Sequence, residues 1–307
     1  MANKIEQLFI LGAPRSGTTF LSALLTDTRF GPPVETHFIT KYAPLTVAGY
    51  TKPKNAIKTV RRILAERPVQ QWRLGVTPQD ILASTPAQPT YADIVNAVCL
   101  HRQGRQGKLA WGDKTPHYID SVNILDKHFP DARFIYIVRD GRDVALSLLR
   151  KPWGPNNIWS CAIYWARLNR KQPVLDALIE SGRCLCISYE SLLEESEHHV
   201  NLIYEFLGEN VTVERVRELC SKTMSDNHGK WRKLMSADQI RLFEKIGGET
   251  LARFGYDLES TGLMSIPLHR SATYWAHDRI LWLIYMFKLN VIDAFGIRFL
   301  GWQPFGD

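Results

Sequence analysis

Cysteine is scarce in this 307-residue chain, and its few cysteines follow no spacing typical of disulfide staples or metal sites. The five are an odd number, and only Cys184 and Cys186 lie close in sequence. Side chains two apart on a strand share a face but are badly placed for a bridge, and no C-x-x-C pair suggests zinc. A chain of this length buries a sizeable core without disulfides. We therefore expect a cytoplasmic protein with reduced thiols.

Features of exported, repetitive or nucleic-acid-binding proteins are also lacking. Residues 1–6 contain no apolar core of signal-peptide length, and no repeat or low-complexity tract stands out. The net charge is +7, from 38 Lys and Arg against 31 Asp and Glu, but the cations are spread among the acids. Nucleic-acid binding favours one basic stripe with interleaved aromatics. The composition therefore predicts an anionic ligand other than nucleic acid.

Residues 7–25 are the stretch around which the chain is organised. The apolar run 8–11 predicts a buried strand, and the loop 12–19 reads Gly-Ala-Pro-Arg-Ser-Gly-Thr-Thr. The apolar residues that follow, at positions 20, 21, 24 and 25, have the spacing of one helix face. Free backbone N–H groups meet at such a junction, and small residues let a phosphate approach the main chain. This pattern predicts an anion site.

One position separates this loop from that of nucleoside-triphosphate enzymes, G-x-x-x-x-G-K-S/T. Gly12 and Gly17 keep the glycine spacing. Thr18, however, replaces the lysine, and the cation comes earlier as Arg15. Loss of the lysine that steadies a γ-phosphoryl group weakens a kinase interpretation without removing it. An ordinary strand-to-helix turn is the structural alternative.

The order Pro14-Arg15-Ser16-Gly17-Thr18-Thr19 directly after a strand closely resembles the 5′-phosphosulfate loop of sulfotransferases that use 3′-phosphoadenosine 5′-phosphosulfate (PAPS). The resemblance extends over residues 7–257, sparsely between 41 and 107. It implies that this loop binds the donor through Arg15, Ser16, Gly17, Thr18 and Thr19. It also implies a P-loop-like, three-layer α/β fold, with a central parallel sheet and helices on both faces.

Two further segments resemble the catalytic segments of that family. Glu35-Thr36-His37-Phe38, which Pro32 and Pro33 return toward the loop, resembles the motif carrying the catalytic base. Sulfuryl transfer requires the acceptor hydroxyl to lose its proton, so Glu35 is assigned as base and His37 as its helper or an acceptor contact. Lys114, in Lys-Thr-Pro, is assigned with Arg15 to stabilise charge on the leaving phosphate. The alternatives without a catalytic role are a surface glutamate, a loop histidine whose hydrogen bonds are made locally, and an exposed loop lysine.

A second strand-loop-helix junction predicts a second anion site. Residues 132–138 are the clearest buried strand, and Arg139-Asp140-Gly141-Arg142 opens the next helix. This segment, through Ser147, resembles the family's 3′-phosphate site, which implies that Arg139 and Ser147 hold that phosphate. Two phosphate sites imply a bisphosphate nucleotide. Asp140 at the strand end is also where a kinase would place a Mg²⁺ ligand, so that alternative stays open.

Later segments complete the resemblance. Tyr189-Glu190 resembles the family's Tyr-Glu-x-Leu segment, and the resemblance gives Tyr189 a nucleotide contact. Gly229-Lys230-Trp231-Arg232 resembles a loop that closes over the 3′-phosphate, with Lys230 and Arg232 as ligands. Trp159, Tyr164 and Trp165 are expected in the core of a helical stretch over 156–182 that is interrupted or kinked at Pro173.

The domain prediction is a sulfotransferase domain over 1–258, with an acceptor-side insertion at 41–110, and an apolar extension over 259–307. Within the insertion, helices are expected around 56–64 and 94–98, and mostly loop over 78–89. The extension carries the apolar run 280–287, far short of the ~20 residues of a spanning helix. Two interpretations of 274–302 remain: peripheral membrane contact, or packing on the domain or a second subunit.

The sequence thus predicts an enzyme that moves a sulfuryl group from PAPS to an acceptor hydroxyl, leaving adenosine 3′,5′-bisphosphate, without a metal. The acceptor is expected to be a small molecule, glycan or lipid, and among these a carbohydrate or lipid-like acceptor is favoured. Two alternatives remain open. One is a small-molecule kinase using ATP and Mg²⁺, and the other is a nucleotide-binding module without activity.

Overall fold

The computed structural model describes residues 5–43, 52–103, 109–221, 228–260 and 265–293. The chain divides into two compact units, and each is described by itself. The sheet unit comprises Met1–Val138 and Lys171–Ser225, and the second unit comprises Arg139–Arg170 and Asp226–Asp307.

A parallel sheet forms the centre of the sheet unit. In the described residues its strands are Glu6–Leu11 (β1), Ala110–Asp113 (β2), Arg133–Val138 (β3) and Cys184–Ser188 (β4), in the order β2-β1-β3-β4. All neighbouring pairs are parallel. The carboxyl ends of parallel strands meet at one edge, so the segments that follow β1, β2 and β4 gather there.

Continuous burial explains why these strands form a parallel sheet. Five consecutive residues of β1 and five of β3 are buried, as expected where both faces are covered. Phe9 of β1 stacks on Phe134 of β3 at 5.5 Å between ring centroids and meets the edge of Trp111 of β2 at the same distance. The predicted α/β class, a parallel sheet with helices around it, is confirmed.

Helices of the sheet unit precede, connect and follow these strands. They are Thr18–Leu24 (α1), Ile39–Tyr42 (α2), Pro53–Leu64 (α3), Arg67–Gln71 (α4), Pro78–Ala83 (α5), Tyr91–Gln103 (α6), Val122–His128 (α7), Pro173–Glu180 (α10), Tyr189–Glu194 (α11), Ser196–Leu207 (α12) and Val213–Cys220 (α13). A 3-10 helix covers Pro116–Ser121. The helices expected around 56–64 and 94–98 are confirmed as α3 and α6.

The structure contradicts one expectation about local structure and decides another. Residues 78–83, expected as loop, form α5, because Thr77 and Asp80 make a capping box and Pro78 occupies the first helical turn, where its missing N–H costs nothing. The stretch 156–182 is two helices, Ile158–Leu168 (α9) and α10, separated before Pro173. Pro173 is the first residue of α10, so of the two expected forms the helical stretch is interrupted rather than kinked.

The second unit is helical in its described part. Besides α9, its helices are Gly141–Leu148 (α8), Trp231–Leu234 (α14), Ala237–Arg253 (α15) and Leu268–Phe287 (α16). Trp165 packs against Phe243 and leaves no room for a side chain at Gly141, where a Cβ would lie 2.4 Å from the Trp165 ring. Trp165 is a core residue, as predicted. No helix among the described residues combines the length and apolarity needed to cross a bilayer.

Candidate active site

The loop between β1 and α1 depends on two glycines. A Cβ at Gly12 would lie 2.6 Å from the Ile137 carbonyl oxygen of β3. A Cβ at Gly17 would lie 2.3 Å from the Tyr189 ring, and Gly17 has φ +93°, in the left-handed region. Arg15 also has a positive φ, 73°, which is strained for a residue with a side chain. The loop is thus fitted tightly between β3 and Tyr189.

Ser16 supplies the loop with an unused polar group. Its side chain is fully buried, and its Oγ has no hydrogen-bond partner among the described residues. Its backbone N–H donates to the Ala13 carbonyl at 3.1 Å. A buried hydroxyl without a partner is costly, and an oxygen-rich anion at the loop would satisfy it. The residues present therefore fit a phosphate or phosphosulfate group.

The segment carrying Glu35 returns to the loop as the paired prolines predict. Ser22 of α1 donates its hydroxyl to the Pro33 carbonyl at 2.7 Å. A Cβ at Gly112 of β2 would lie 2.7 Å from Pro33 Cγ, so only glycine lets this segment approach β2. The backbone N–H of Lys114 donates to the Val34 carbonyl at 2.9 Å. These contacts bring Glu35 beside Lys114.

Glu35, His37 and Lys114 form one ionic cluster. His37 Nε2 lies 2.9 Å from Glu35 Oε2, and Lys114 Nζ contacts Glu35 Oε1. Lys114 Nζ also lies 3.5 Å from the Thr19 hydroxyl, which joins the cluster to the loop. The Lys114 side chain is 10% exposed, whereas that of Glu35 is 40% exposed. A half-exposed carboxylate thus stands beside a largely buried ammonium group.

Neighbouring donors set the protonation of the cluster. Burial alone would raise the pKa of Glu35, but hydrogen bonds from His37 and Lys114 outweigh it and lower the pKa to about 2. The hydrogen bond to Glu35 raises the pKa of His37 above its usual value, against a smaller opposing effect of burial. Glu35 is therefore a carboxylate at neutral pH, and protonated His37 is favoured.

Asp113, at the end of β2, holds the two catalytic segments together. Its Oδ2 accepts from the Thr36 backbone N–H at 3.1 Å and from the Thr115 hydroxyl at 3.0 Å. Its Oδ1 accepts from the Thr115 backbone N–H at 2.9 Å. Asp113 is 1% exposed, and burial raises its pKa to about 6. The residues that flank Glu35 are thus bonded to those that flank Lys114.

In the second unit, Asp143 of α8 binds the loop around Gly229, the glycine loop, which precedes α14. Its carboxylate accepts from the backbone N–H groups of Gly229 at 2.6 Å and Trp231 at 3.0 Å. Arg139 Nη2 lies 3.9 Å from the same carboxylate. One buried acid therefore connects the glycine loop to Arg139.

Asp140 is committed to an ion pair. Arg142 donates to both of its carboxylate oxygens, from Nε at 3.0 Å and from Nη2 at 2.7 Å, and its Nη1 donates to Glu244 at 2.6 Å. The Arg142 guanidinium also lies 3.5 Å from the centre of the Trp231 ring. A carboxylate held in this way is poorly placed as the Mg²⁺ ligand that the kinase alternative requires. No group of three or more metal-ligating side chains was found in the described ranges.

Sequence comparison identifies the family of the chain. The model of the family described as the sulfotransferase family matches residues 7–213, about two thirds of the chain. The chain belongs to the sulfotransferase family. The prediction made from the loop 14–19 is confirmed at the level of the family.

Individual relatives agree with this family. Protein-tyrosine sulfotransferase 2 of Gallus gallus is 27% identical over 215 residues, and protein-tyrosine sulfotransferase 1 of Danio rerio is 26% identical over 212 residues. The matches cover 67% and 66% of this chain, respectively, and 52% of each relative. The chain thus spans about half the length of these relatives. The sulfotransferase domain of the Synechococcus PCC 7002 olefin synthase has a similar fold, with a TM-score of 0.54 and 23% identity, covering 84% of this chain and 97% of that domain.

The predicted site residues of this sulfotransferase fall into two groups. In the sheet unit, contacts join Glu35 to His37 and Lys114, and Lys114 to Thr19, while Tyr189 packs against Gly17. The second unit carries the residues assigned to the 3′-phosphate: Arg139, Ser147, Lys230 and Arg232. Ser147 is half-buried and Lys230 exposed. Arg232 pairs with Glu259 at 3.3 Å, a contact that sequence reasoning did not predict.

Sequence reasoning also missed Asp113 and Asp143. Neither belongs to a periodic apolar pattern, and both act through backbone N–H groups that no motif names. The available signal was position. Asp113 directly precedes the predicted catalytic Lys114, and Asp143 lies four residues after Arg139.

A cavity of about 590 Å³ lies near the start of β1, away from the loop that follows this strand. It is lined in part by Ile5, Asp93, Asn96 and His101. Ile5 precedes β1, whereas the loop follows Leu11 at the other end of that strand. The cavity is therefore not the site of the predicted chemistry.

Proposed function

We propose that this sulfotransferase moves a sulfuryl group from PAPS to an acceptor hydroxyl. The observation that carries the proposal is the contact of the Glu35 carboxylate with Lys114 beside Thr19 of the loop. It brings a base for the acceptor and a cation for the leaving group to the same end of β1. Sulfuryl transfer requires both groups together.

In the proposed reaction, the acceptor oxygen forms a bond to sulfur as the bond from sulfur to the 5′-phosphate oxygen breaks. Glu35 takes the acceptor's proton, with His37 as its helper. Lys114 and Arg15 stabilise the negative charge that develops on the departing phosphate, an interaction stronger in the transition state than in the ground state. The contact between Lys114 and Glu35 must loosen for both roles, because a carboxylate paired with an ammonium is a weak base.

The donor is assigned contacts in both groups of residues. Ser16, Gly17, Thr18 and Thr19 are assigned the 5′-phosphosulfate, which is supported by the buried, unused Ser16 hydroxyl. Tyr189 is assigned a nucleotide contact. The family resemblance assigns the 3′-phosphate to a set in the second unit: Arg139, Ser147, Lys230 and Arg232. We expect the reaction to need no metal, because the charge on the leaving phosphate is met by Arg15 and Lys114.

The proposal also covers the class of acceptor and the location of the protein. We retain a small-molecule, glycan or lipid acceptor as the expected class. The two vertebrate relatives described above are named for protein tyrosine, so a tyrosine hydroxyl belongs in the same screen. We propose the cytoplasm as location, supported by the five cysteines, which form no disulfide in the part of the chain that the structure describes.

Calorimetric titration with adenosine 3′,5′-bisphosphate, without metal, tests the donor site. We expect binding that survives EDTA and weakens at least tenfold in Arg139→Ala, with exposed Arg241→Ala as the matched control. PAPS then serves as donor in an acceptor screen with sugars, lipids and tyrosine peptides. Metal-dependent binding of ATP without binding of the bisphosphate would contradict the proposal and favour the kinase alternative. Bisphosphate binding without turnover of any acceptor would favour a silent nucleotide-binding module.

A further inference from the structure

The helix α16 exposes apolar side chains that the proposed chemistry does not use. None of its residues is buried, and a helical turn over Lys288–Asp293 continues it. Its exposed large apolar residues, with those of the continuation, are Leu268, Trp275, Ile280, Leu281, Trp282, Leu283, Ile284, Phe287, Leu289 and Val291. Contiguous exposed apolar surface on this scale marks an interaction site.

The first half of α16 contacts the start of α9 and the two residues that precede it. The backbone N–H of Asn156 donates to Asp278 at 2.7 Å, and Asn157 Nδ2 donates to the Tyr274 carbonyl at 2.9 Å. Trp159 stacks on Tyr274 with 6.2 Å between ring centroids. Beyond Asp278, no hydrogen bond or ion pair joins α16 to another described element. In the run 280–287, Tyr285 and Met286 are half-buried and the other six side chains are exposed, so most of this run is presented rather than packed.

The apolar surface extends around the whole helix. Successive helical residues are rotated by about 100°, so four in a row face four directions. Ile280, Leu281, Trp282 and Leu283 are 57%, 37%, 40% and 58% exposed. A helix that packs on protein buries one stripe and keeps a polar face. A partner protein on one side would leave the other sides in water, whereas lipid chains surround a helix.

A cation lies at each end of this run, and two tryptophans lie near its start. The guanidinium of Arg279 lies over the rings of Trp275 and Trp282, at 6.0 and 5.6 Å from their centres. Arg279 and Lys288 are both exposed and flank the run 280–287. Tryptophan and basic side chains are the residues that membrane interfaces favour, and the cations suit anionic headgroups. Eight helical residues extend about 12 Å, less than half of a ~30 Å hydrocarbon core.

We propose that α16 is a docking surface for a membrane that contains anionic lipid. The aliphatic side chains of the run 280–287 and Phe287 enter one leaflet. Arg279 and Lys288, at the two ends of the run, and the rings of Trp275 and Trp282 lie at headgroup level. The proposal is independent of the sulfotransferase chemistry. It assigns an occupant to the apolar extension, for which the sequence left membrane contact and self-association open.

Co-sedimentation of the full chain with phosphatidylcholine vesicles, with and without phosphatidylglycerol, tests this proposal. We expect binding that is strongest with phosphatidylglycerol and falls at least tenfold in Ile284→Glu, because a carboxylate in the apolar layer is costly. Val213→Glu is the matched control, since Val213 is a similarly exposed apolar residue of α13, and it should bind as the unmodified chain does. Circular dichroism and thermal unfolding should show that all three proteins fold alike, since neither substituted side chain is buried.

Three results would overturn the proposal. The first is that the unmodified chain binds neither kind of vesicle. The second is that Ile284→Glu binds as tightly as Val213→Glu. The third is a concentration-dependent dimer, measured by analytical ultracentrifugation, that Ile284→Glu dissociates while no protein sediments with vesicles. That result would assign the surface to a second copy of the chain.

Discussion

At the scale of single residues, the candidate active site is a set of charges that restrain one another. Lys114 and His37 hold the Glu35 carboxylate, and the resulting pKa of about 2 makes Glu35 a poor proton acceptor in the described state. A general base works best when its pKa approaches the working pH. Catalysis by Glu35 therefore depends on how firmly its two partners hold it.

This dependence predicts an acid limb in the pH profile of kcat. As the pH falls through the raised pKa of His37, the added proton strengthens the hold on Glu35 and makes it less basic, so kcat should fall. We expect the limb to be centred above pH 6.5, the usual pKa of histidine. His37→Gln keeps a donor but cannot titrate, so the limb should disappear. Glu35→Gln should lose about 10²- to 10⁴-fold in kcat at every pH. A limb near pH 4.5, or one that persists in His37→Gln, would show that Glu35 titrates independently.

Asp113 provides a test of positioning as distinct from catalysis. Asp113→Asn places an amide N–H₂ against the donors of Thr36 or Thr115, which should cost about 1–3 kcal/mol in the free energy of unfolding. The segments that carry Glu35 and Lys114 are then no longer held in their relative positions. We expect kcat to fall about 10- to 100-fold, while the Kd of adenosine 3′,5′-bisphosphate changes less than twofold. Exposed Asp238→Asn is the control, and an unchanged kcat in Asp113→Asn would refute the positioning role.

The same residue predicts a pH dependence of stability. Burial raises the pKa of Asp113 from its ordinary value of 3.8 to about 6 in the folded chain. Its favourable contribution is fully present below pH 3.8 and is lost as the pH rises through about 6. A shift of two pKa units corresponds to about 3 kcal/mol. Unfolding by urea at several pH values should show this loss in the unmodified chain and not in Asp113→Asn. An equal pH dependence in both proteins would contradict it.

At the scale of elements, the loop before α1 predicts a difference between two glycines. Gly17 and Gly75 both have positive φ, +93° and +67°, but only at Gly17 would a Cβ meet another group, the Tyr189 ring. Each Gly→Ala change should cost about 1–2 kcal/mol from the left-handed backbone. Gly17→Ala should additionally displace the loop and weaken binding of adenosine 3′,5′-bisphosphate at least tenfold by calorimetry. Equal affinities of the two variants would show that the loop does not contact the ligand.

Element boundaries followed from the sequence where one signal dominated. The buried runs of β1 and β3 were readable because four successive apolar residues in β1 and five in β3 have few alternatives. In contrast, β2 was not predicted, since Trp-Gly-Asp within it breaks the apolar run and only pairing with β1 makes it a strand. Likewise, α5 was not predicted, although Thr77 and Asp80 form a capping box that can be read from the sequence.

At the scale of the whole molecule, the family was readable from short motifs because phosphate recognition depends on the local order of a few residues. The contact of Glu35 with Lys114 was not readable, since 79 residues separate them and only the sheet brings them together. Two catalytic segments could therefore be named, but not the acid that aligns them. The role of Asp113 becomes clear only from its hydrogen bonds to Thr36 and Thr115, which join the two segments.

The net charge of +7 predicts an electrostatic effect that no single residue accounts for. Because Lys and Arg are spread along the chain, an anionic donor should be attracted by their combined field, which salt screens. We expect the KM for PAPS to rise about three- to tenfold between low salt and physiological salt, and the KM of a neutral acceptor to stay constant. Lys54→Glu, an exposed change that removes two units of charge, should alter the KM for PAPS less than twofold at either salt concentration. If that one variant reproduced the whole effect of salt, attraction would come from a local contact at α3 rather than from the net charge.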